Sequence, residues 1–168
     1  MYNDGMSKRP AIITDRDGTL ASVAHVAPQD QSNVSWMQYN AAMAFDAVVP
    51  SVLGTLQWAR RTMPDVTIIM TSGRAGGDFP GDVRRRRQME DWILKHQLPI
   101  DALLMRKGGD QRRDSIVKRE MFEQSIEPHF DVLFAIDDRP QVCELWRDLG
   151  VPLPQVTDPG ILPPIATQ

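Results

Sequence analysis

IITDRDGTL, at residues 12–20, is the stretch that decides the fold of this chain. An apolar run at residues 11–14 stops abruptly at the polar cluster Asp15-Arg16-Asp17-Gly18. This pattern predicts a short buried strand that ends in a tight turn. Residues i and i+2 of an extended chain point the same way, and the glycine permits a sharp turn. We therefore expect the carboxylates of Asp15 and Asp17 to surround one centre.

The alternation of apolar strands with helices continues along the chain. Three further apolar runs predict strands, at residues 66–70, within 98–105 and at 132–136. Helices are predicted over residues 50–61, 83–96, 110–122 and 140–149. Tryptophans on these helices are expected in the core: Trp58, Trp92 and Trp146. A last edge strand is predicted at residues 151–156, because an edge tolerates its prolines. Strands that alternate with helices predict an α/β fold, a three-layer Rossmann-like sandwich around a mainly parallel central sheet.

Length and composition fit one domain. The 168 residues are 42% apolar and 24% charged, which is typical of a globular chain and excludes collagen, coiled coil and wholesale disorder. We therefore expect residues 1–168 to form a single domain. Residues 21–46 are irregular and long for a connector, which predicts a small lid after the first strand. Residues 159–168 are expected to form a loosely ordered tail.

The charge balance and the cysteine content limit the partners and the compartment. Lys and Arg number 19 against 22 Asp and Glu, so no large basic surface is implied, and any nucleic acid should be held locally. The single cysteine, Cys143, excludes an intramolecular disulfide and fits a reducing cytoplasm. The longest apolar runs fall short of the ~20 residues of a membrane helix, and the N-terminal residues have no signal-peptide pattern. No membrane role is expected.

Polar clusters follow the predicted strands at their carboxyl ends. Thr71-Ser72-Gly73-Arg74 comes after the second strand, and Asp137-Asp138 comes after the fourth. In open α/β sheets, ligands bind beyond the carboxyl ends of the strands. We therefore expect these clusters to share one site with Asp15 and Asp17.

The residue types in these clusters indicate phosphate chemistry. Three or four carboxylates in one pocket repel one another unless a cation is present, and all-oxygen ligands favour Mg²⁺. Ser72, the neighbouring backbone N–H groups and Arg74 can bind phosphate oxygens. Lys118 adds a positive charge, and Asp114, four residues earlier on a helix, can hold its ammonium group. An aspartate nucleophile then predicts phosphoryl transfer through an aspartyl-phosphate, with Asp17 protonating the leaving oxygen and later activating water.

Each feature also has an ordinary structural interpretation. Asp-x-Asp-Gly is often just a turn, the pair Asp137-Asp138 can cap the helix that follows, and Lys118 can be a solvated helix residue. The arginines at residues 84–87 either contact a nucleic-acid backbone or form a solvated helix face. Trp36 and Tyr39, in the predicted lid, either stack on a base or pack the lid on to the body. The order of all four polar features along one chain favours the functional interpretation.

IITDRDGTL, IIMTSGR, Lys118 and FAIDD resemble the four motifs of the haloacid dehalogenase superfamily of phosphohydrolases. Over residues 9–158 the chain is similar to the phosphatase domain of phage polynucleotide kinase-phosphatase. The resemblance implies removal of 3′-phosphates from DNA or RNA ends, with Asp15 as nucleophile and Asp17 as general acid and base. It implies that Asp15, the Asp17 carbonyl, Asp137 and Asp138 hold Mg²⁺. The predicted phosphate-binding set is Thr71, Ser72, Gly73, Arg74, Asp114 and Lys118.

Two other functions stay open at this point. The enzyme can act on nucleotides or other small phosphomonoesters, since the motifs set the chemistry and the lid and rim set the substrate. Alternatively, the chain is a catalytically idle module that binds nucleic-acid ends, although such a module need not keep Asp15, Asp17, Lys118 and Asp138. No G-x-x-x-x-G-K-[ST] motif occurs, so 5′-kinase activity is not expected. A separate kinase or ligase is the partner implied by the resemblance. DNA or RNA preference and oligomeric state stay open.

Overall fold

The computed structural model describes residues 7–23 and 33–154, and for residues 33–37 it describes the backbone alone. In chain order its elements are β1 (Arg9–Asp15), β2 (Ala21–Ser22), α1 (Asn33–Ala42), β3 (Ala47–Val48), α2 (Pro50–Thr62), β4 (Thr67–Ala75), α3 (Pro80–Lys95), β5 (Ala102–Arg106), α4 (Asp114–Met121), β6 (Phe130–Ile136) and α5 (Pro140–Asp148). None of the helices in these residues has the length and apolar character needed to cross a membrane.

The central sheet has four strands in the order β5-β4-β1-β6. Every pairing in it is parallel, as the short apolar runs of the sequence predict. β1 lies between β4 and β6, so Asp15 at its end pairs with Thr71 of β4. The parallel arrangement brings all four carboxyl ends to one edge, and the predicted α/β fold is confirmed.

Helices cover both faces of this sheet. Successive residues of β1 point to opposite faces, so Ile12 joins one buried cluster and Ile13 joins the other. The first cluster contains residues of α2 and α3, among them Leu56 and Trp92. The second contains residues of α5, among them Leu145 and Trp146. These two cores make the three-layer sandwich that the sequence predicts.

The prediction for Trp58 is wrong, because its side chain is 54% exposed. On α2 the buried residues are Val52, Leu56 and Ala59. Their spacing puts one stripe of the helix on the sheet, and the position of Trp58 falls outside that stripe. Trp92 and Trp146 are buried as expected.

β4 continues through polar residues to Ala75, beyond the predicted end at residue 70. Its pairing with β5 jumps from Ser72 opposite Met105 to Ala75 opposite Arg106, which leaves Gly73 and Arg74 in a bulge. A bulge bends a strand and redirects its side chains. Backbone pairing therefore extends the strand into the polar motif, and the bulge turns that motif toward the sheet edge.

The prediction that residues 21–46 are irregular is wrong for the part that the structure describes. That part contains β2, α1 and a 3₁₀ turn at Met43–Phe45, and β2 pairs antiparallel with β3. Met43 is fully buried in the core, so tertiary packing holds this segment where the sequence shows little periodicity. A lid role for the segment stays a prediction.

Two element boundaries near the C-terminal half also differ from the predictions. α4 begins at Asp114 rather than residue 110, because Asp110 accepts hydrogen bonds from Arg112 in a preceding turn. The predicted edge strand does not form over residues 151–154, where one hydrogen bond joins the Ala135 N–H to the Pro152 carbonyl at 2.9 Å. Prolines supply no N–H to extend a ladder. Residues 155–156 and 159–168 lie outside the described residues.

Candidate active site

The carboxyl ends of the four parallel strands deliver their polar residues to one pocket of about 330 Å³. Asp15 is the last residue of β1, Arg106 is the last of β5, and Asp137 follows β6 directly. The pocket is lined by Asp15, Asp17, Tyr39, Asn40, Gly73, Arg74, Ala75, Arg85, Arg106, Asp114 and Arg139. Asp137 and Asp138 do not line this pocket, but each has an oxygen within 4.8 Å of an Asp15 oxygen, so the structure brings the strand-end clusters next to one another.

Lys118 lies fully buried at the base of this pocket. Its Nζ donates to Asp15 Oδ1 at 2.6 Å and to Asp137 Oδ2 at 2.7 Å, and lies 3.6 Å from Asp114 Oδ2. Burial acts to lower the pKa of Lys118, but the charges of Asp15 and Asp137 outweigh it and raise that pKa above the usual value. The alternative of a solvated helix residue is wrong for Lys118.

Asp15 keeps one carboxylate oxygen open. Its side chain is 5% exposed, and Oδ2 has no hydrogen-bond partner among the described residues. A buried oxygen left in this state costs free energy unless a ligand or ion meets it. Burial raises the pKa of the Asp15 carboxyl; Lys118 opposes this shift and the charge of Asp137 adds to it. A cation or an electrophile that contacts Oδ2 of Asp15 would remove this cost.

Three carboxylates fit a metal ion at this edge of the sheet. Asp15, Asp137 and Asp138 each offer an oxygen, and these oxygens lie within 4.8 Å of one another. Gly18 has a φ of +87°, and a Cβ at that position would overlap Asp138 Oδ2, so the turn needs glycine there. Thr19 Oγ1 donates to Asp138 Oδ1 at 3.1 Å. An all-oxygen donor set of this charge suits a hard divalent cation.

Two details limit the roles assigned to these carboxylates. The Asp17 carboxylate does not belong to the cluster of metal-ligating oxygens, so its predicted contribution through the backbone carbonyl stays a prediction. Asp137 Oδ1 accepts the Arg139 N–H at 3.1 Å, at the start of α5. Arg139 is itself the N-cap residue and makes no side-chain cap hydrogen bond, so this bond fixes the turn after β6 and does not cap α5, while Oδ2 of Asp137 contacts Lys118 in the site.

Asp17 is bound by two arginines. Its Oδ2 accepts from Arg74 Nε at 2.7 Å, and its Oδ1 accepts from Arg74 Nη2 at 3.0 Å and from Arg16 Nη1 at 2.5 Å. Burial acts to raise the pKa of Asp17, but the Arg74 hydrogen bonds and charge outweigh it and hold that pKa below its usual value. In this state Asp17 is a carboxylate, and the guanidinium of Arg74 is engaged with it.

The buried role of Arg16 was not predicted from the sequence. Arg16 lies between the two aspartates in the sequence, is fully buried and does not line the pocket. It donates to Asp46 Oδ2 at 2.9 Å and to the Met43 carbonyl at 2.7 Å, and its guanidinium lies 4.5 Å from the centre of the Trp92 ring. Strand alternation predicts that the Arg16 side chain points to the opposite side from those of Asp15 and Asp17. Its partner Asp46, however, can be identified only from the folded structure.

The predicted phosphate loop is tightly packed. Thr71 and Ser72 are fully buried, and Thr71 Oγ1 has no hydrogen-bond partner among the described residues. Ser72 Oγ accepts the Arg74 N–H at 3.2 Å. A Cβ at Gly73 would overlap Asp114 Oδ1, so glycine is needed there for a close approach. The bulge therefore holds the loop backbone directly against Asp114.

Asp114 joins two arginines that the sequence analysis missed. Arg106 Nη2 lies 3.3 Å from its Oδ1, and Arg139 Nη1 lies 3.5 Å from its Oδ2. Arg106 Nε also donates to the Gly73 carbonyl at 2.6 Å. Both residues could have been found from their positions at strand ends, where ligands bind in α/β sheets. Arg106 is the last residue of β5, and Arg139 follows Asp137-Asp138 after β6.

Helix α1 contacts the pocket through Arg74. The Arg74 guanidinium lies 4.2 Å from the centre of the Tyr39 ring and donates from Nη1 to Asn40 Oδ1 at 2.9 Å. Tyr39 thus packs the 33–42 segment on to the body, one of the two interpretations of the sequence. The side chain of Trp36 lies outside the described residues.

Comparisons with known proteins agree with this architecture. A family profile described as "Polynucleotide kinase PNKP phosphatase domain" matches residues 9–160. A putative bifunctional polynucleotide kinase/RNA ligase of Autographa californica nuclear polyhedrosis virus is 27% identical over 143 residues, which are 84% of this chain and 18% of that protein. The chain thus spans less than a fifth of that relative.

Two solved structures resemble this chain, one in sequence and fold and the other in fold. The structure of a Pnkp1/Rnl/Hen1 complex contains a chain that is 32% identical, with a TM-score of 0.72 over 90% of this chain and 47% of that one. A haloacid dehalogenase-like hydrolase of Streptococcus pneumoniae is 12% identical, with a TM-score of 0.56 over 88% of this chain and 84% of that one, and it shows the shared fold. With its parallel sheet, its strand-end aspartates and a family match over nearly its whole length, the chain belongs to the phosphatase-domain family of the polynucleotide kinase-phosphatases.

Proposed function

We propose that this protein is a Mg²⁺-dependent polynucleotide 3′-phosphatase that acts in the healing of DNA or RNA ends. The observation that carries the proposal is the open Oδ2 of Asp15, which lies beside buried Lys118 in a pocket lined by four arginines. A nucleophile next to clustered cations suits attack on an anionic phosphate. The family supplies the class of substrate, a nucleic-acid end.

The reaction proceeds in two steps on the chain's own residues. Asp15 attacks the phosphorus, the bond from phosphorus to the 3′-oxygen breaks, and Asp17 gives its proton to that oxygen. Asp17 then takes a proton from water as the water attacks the aspartyl-phosphate, which releases inorganic phosphate and restores Asp15. Mg²⁺, held by Asp15, Asp137 and Asp138 and the Asp17 carbonyl, would offset the combined negative charge of phosphate and carboxylates.

The engagement of Arg74 with Asp17 explains how the acid becomes protonated. Arg74 holds Asp17 as a carboxylate when no phosphate is present. A phosphate dianion bound in the pocket competes for the Arg74 guanidinium, and a bidentate arginine-phosphate pair is a strong contact. As Arg74 turns to the phosphate, Asp17 loses its main counter-charge and its pKa rises, so substrate binding itself favours the protonated acid.

The partners of the proposed enzyme follow from its relatives. The viral relative is described as a polynucleotide kinase/RNA ligase, and the structural relative comes from a Pnkp1/Rnl/Hen1 complex. We therefore infer that a separate kinase or ligase completes the repair of the ends that this phosphatase prepares. The sequence has no phosphate-binding loop motif, so the proposal assigns it no 5′-kinase reaction.

A small-molecule phosphatase is the second candidate. The pocket of about 330 Å³ lies near the lower end of the range for ligand sites, roughly 300–1,000 Å³, and one nucleotide is a natural occupant. The net charge of -3 is also low for a nucleic-acid enzyme. An idle binding module is disfavoured, because it has no use for a buried lysine between Asp15 and Asp137.

Phosphate release from matched substrates tests the proposal. We expect Mg²⁺-dependent release from 3′-phosphorylated oligonucleotides and little release from the same oligonucleotides phosphorylated at the 5′ end. DNA and RNA forms of each substrate establish the sugar preference. Equal or faster turnover of a 3′-mononucleotide would favour the small-molecule candidate, and full activity in EDTA would contradict the metal assignment.

A further inference from the structure

We propose that Arg85 forms a second phosphate subsite in the same pocket, which binds the internucleotide phosphate one nucleotide in from the 3′ end. The inference rests on the proposed function and deepens it, because it makes the substrate a polynucleotide rather than a mononucleotide. It also selects one residue from the run of arginines at positions 84–87.

The four arginines of this run have different surroundings. Arg85 lines the pocket. Arg86 donates from Nε to the Gly76 carbonyl at 3.2 Å, and Arg84 and Arg87 are exposed on α3 outside the pocket lining. One arginine of the run is therefore directed to the site, and a uniform solvated helix face does not describe it.

The guanidinium of Arg85 is held in place. Its Nε donates to the Ala75 carbonyl at 2.9 Å, one residue beyond Arg74 along β4, and its Nη2 pairs with Asp82 Oδ1. Asp82 is itself buried, and a Cβ at Gly108 would overlap its Oδ2. A fixed cation loses little side-chain entropy when it binds an anion.

The Nη1 group of Arg85 can still donate hydrogen bonds to a ligand. The two bonds above use Nε and Nη2, and among the described residues no hydrogen bond or ion pair engages Nη1. Nη1 lies 3.7 Å from the place that a Cβ would take at Gly81, which is an ordinary van der Waals distance. The side chain is 25% exposed, which lets an incoming phosphate reach it.

The charges in the pocket fit two anions. Arg106 and Arg139 share Asp114, and Arg74 binds Asp17. In the proposed function these three arginines would bind the terminal phosphate. Burial and then the charge of Arg74 lower the pKa of Arg85, which shows that the two cations repel each other. A second phosphate near Arg85 relieves that repulsion.

An exposed aromatic ring beside the subsite favours a nucleotide over a free anion. Phe79 is 66% exposed at the start of α3. Its ring and the Asp82 carboxylate both lie against Gly108. Aromatic rings that border a backbone-binding cation stack on nucleobases without regard to sequence. A nucleotide whose phosphate binds Arg85 can thus place its base on this ring.

The test compares a 3′-phosphorylated dinucleotide, which has one internucleotide phosphate, with the 3′-mononucleotide, which has none. We expect wild-type kcat/KM to be higher for the dinucleotide. Arg85→Ala should lower the ratio of the two kcat/KM values about tenfold, the usual scale of one charge-assisted contact. Arg84→Ala removes the same charge from the same helix and should leave the ratio within about twofold, since a surface charge acts weakly.

A second substrate change isolates the contact. A dinucleotide with an uncharged methylphosphonate linkage should lose wild-type activity by the same factor, and Arg85→Ala should be indifferent to that replacement. If Arg85→Ala slows both natural substrates equally, or if Arg84→Ala matches it, the subsite is refuted while the phosphatase assignment stands. If the wild type hydrolyses neither natural substrate, the proposed function fails and the subsite fails with it.

Discussion

Lys118 and Arg16 are both fully buried cations, yet the regions around them differ in what they leave open. Lys118 lies among Asp15, Asp114 and Asp137, and the buried Oδ2 of Asp15 has no hydrogen-bond partner in the described residues. Around Arg16, by contrast, both oxygens of Asp17 accept hydrogen bonds from arginines. The first region has a reactive atom to offer, and the second holds its acid in position.

The contrast separates two reasons for burying charge. Arg16 stabilises one geometry when it joins Asp17 to Asp46, although its Nε has no hydrogen-bond partner among the described residues. A buried carboxylate with one unpartnered oxygen, such as Asp15, lowers the free energy of unfolding until a substrate or a metal ion binds that oxygen. Catalytic sites store this kind of cost. In the proposed mechanism the unpartnered acceptor Oδ2 of Asp15 therefore belongs to the reacting region, and Arg16, whose unpartnered atom is a donor, belongs to the positioning region.

Asp15→Asn gives the largest expected effect. It removes the proposed nucleophile, so turnover should fall by about 10⁴-fold or more. The variant should melt at the wild-type temperature or above it, because it also removes a poorly satisfied buried carboxylate. Phosphate release and thermal melting measure the two effects. Retained activity would contradict the aspartyl-phosphate mechanism.

Lys118→Met should destabilise the fold as well as stop the reaction. It leaves Asp15 and Asp137 without their shared cation, and breaking a buried pair in this way typically costs about 3–5 kcal/mol of unfolding free energy. Asp114 keeps its contacts with Arg106 and Arg139. Denaturant unfolding measures this loss. The double variant with Asp15→Asn should recover part of it, since one of the uncompensated carboxylates is then gone. A double variant that is no more stable than the single one would argue against this account of Lys118.

Arg16→Met should have a smaller and more selective effect. Asp17 keeps Arg74, so unfolding free energy should fall by less than for Lys118→Met, by about 1–3 kcal/mol from the loss of the Asp46 pair. Since Arg16 orients the proposed acid, kcat/KM should fall more on alkyl phosphates than on p-nitrophenyl phosphate, whose leaving group needs no proton. An equal loss on both substrates would indicate a purely structural role.

Trp58→Gln should have the smallest effect. The Trp58 side chain is 54% exposed, so the free energy of unfolding should change by less than about 0.5 kcal/mol. Trp92→Ala is the matched change at a buried tryptophan and should cost about 3–5 kcal/mol, because it opens a cavity beneath Arg16. Equal losses at the two tryptophans would mean that α2 is packed differently.

The reacting region could be predicted from the sequence, whereas most of the positioning region could not. Asp15, Lys118 and Asp137 follow from strand ends and helical spacing, which are local patterns. The partner of Arg16 lies 30 residues away in a segment without clear periodicity, so only the folded chain brings Asp46 to it. The bulge at Gly73 and Arg74 depends likewise on β5, a strand that comes later in the sequence.

The place of β1 in the sheet has a consequence for how the protein is made. β1 precedes both of its partners in the chain, so β4 and β6 are synthesised after it, and its residue Arg9 pairs with Phe130. Both edges of this apolar strand are therefore unpaired until β4 and β6 have been synthesised. Such non-local pairing gives a high contact order, which slows folding and exposes the nascent chain to aggregation. Chaperone demand during translation should depend on how soon β6 emerges.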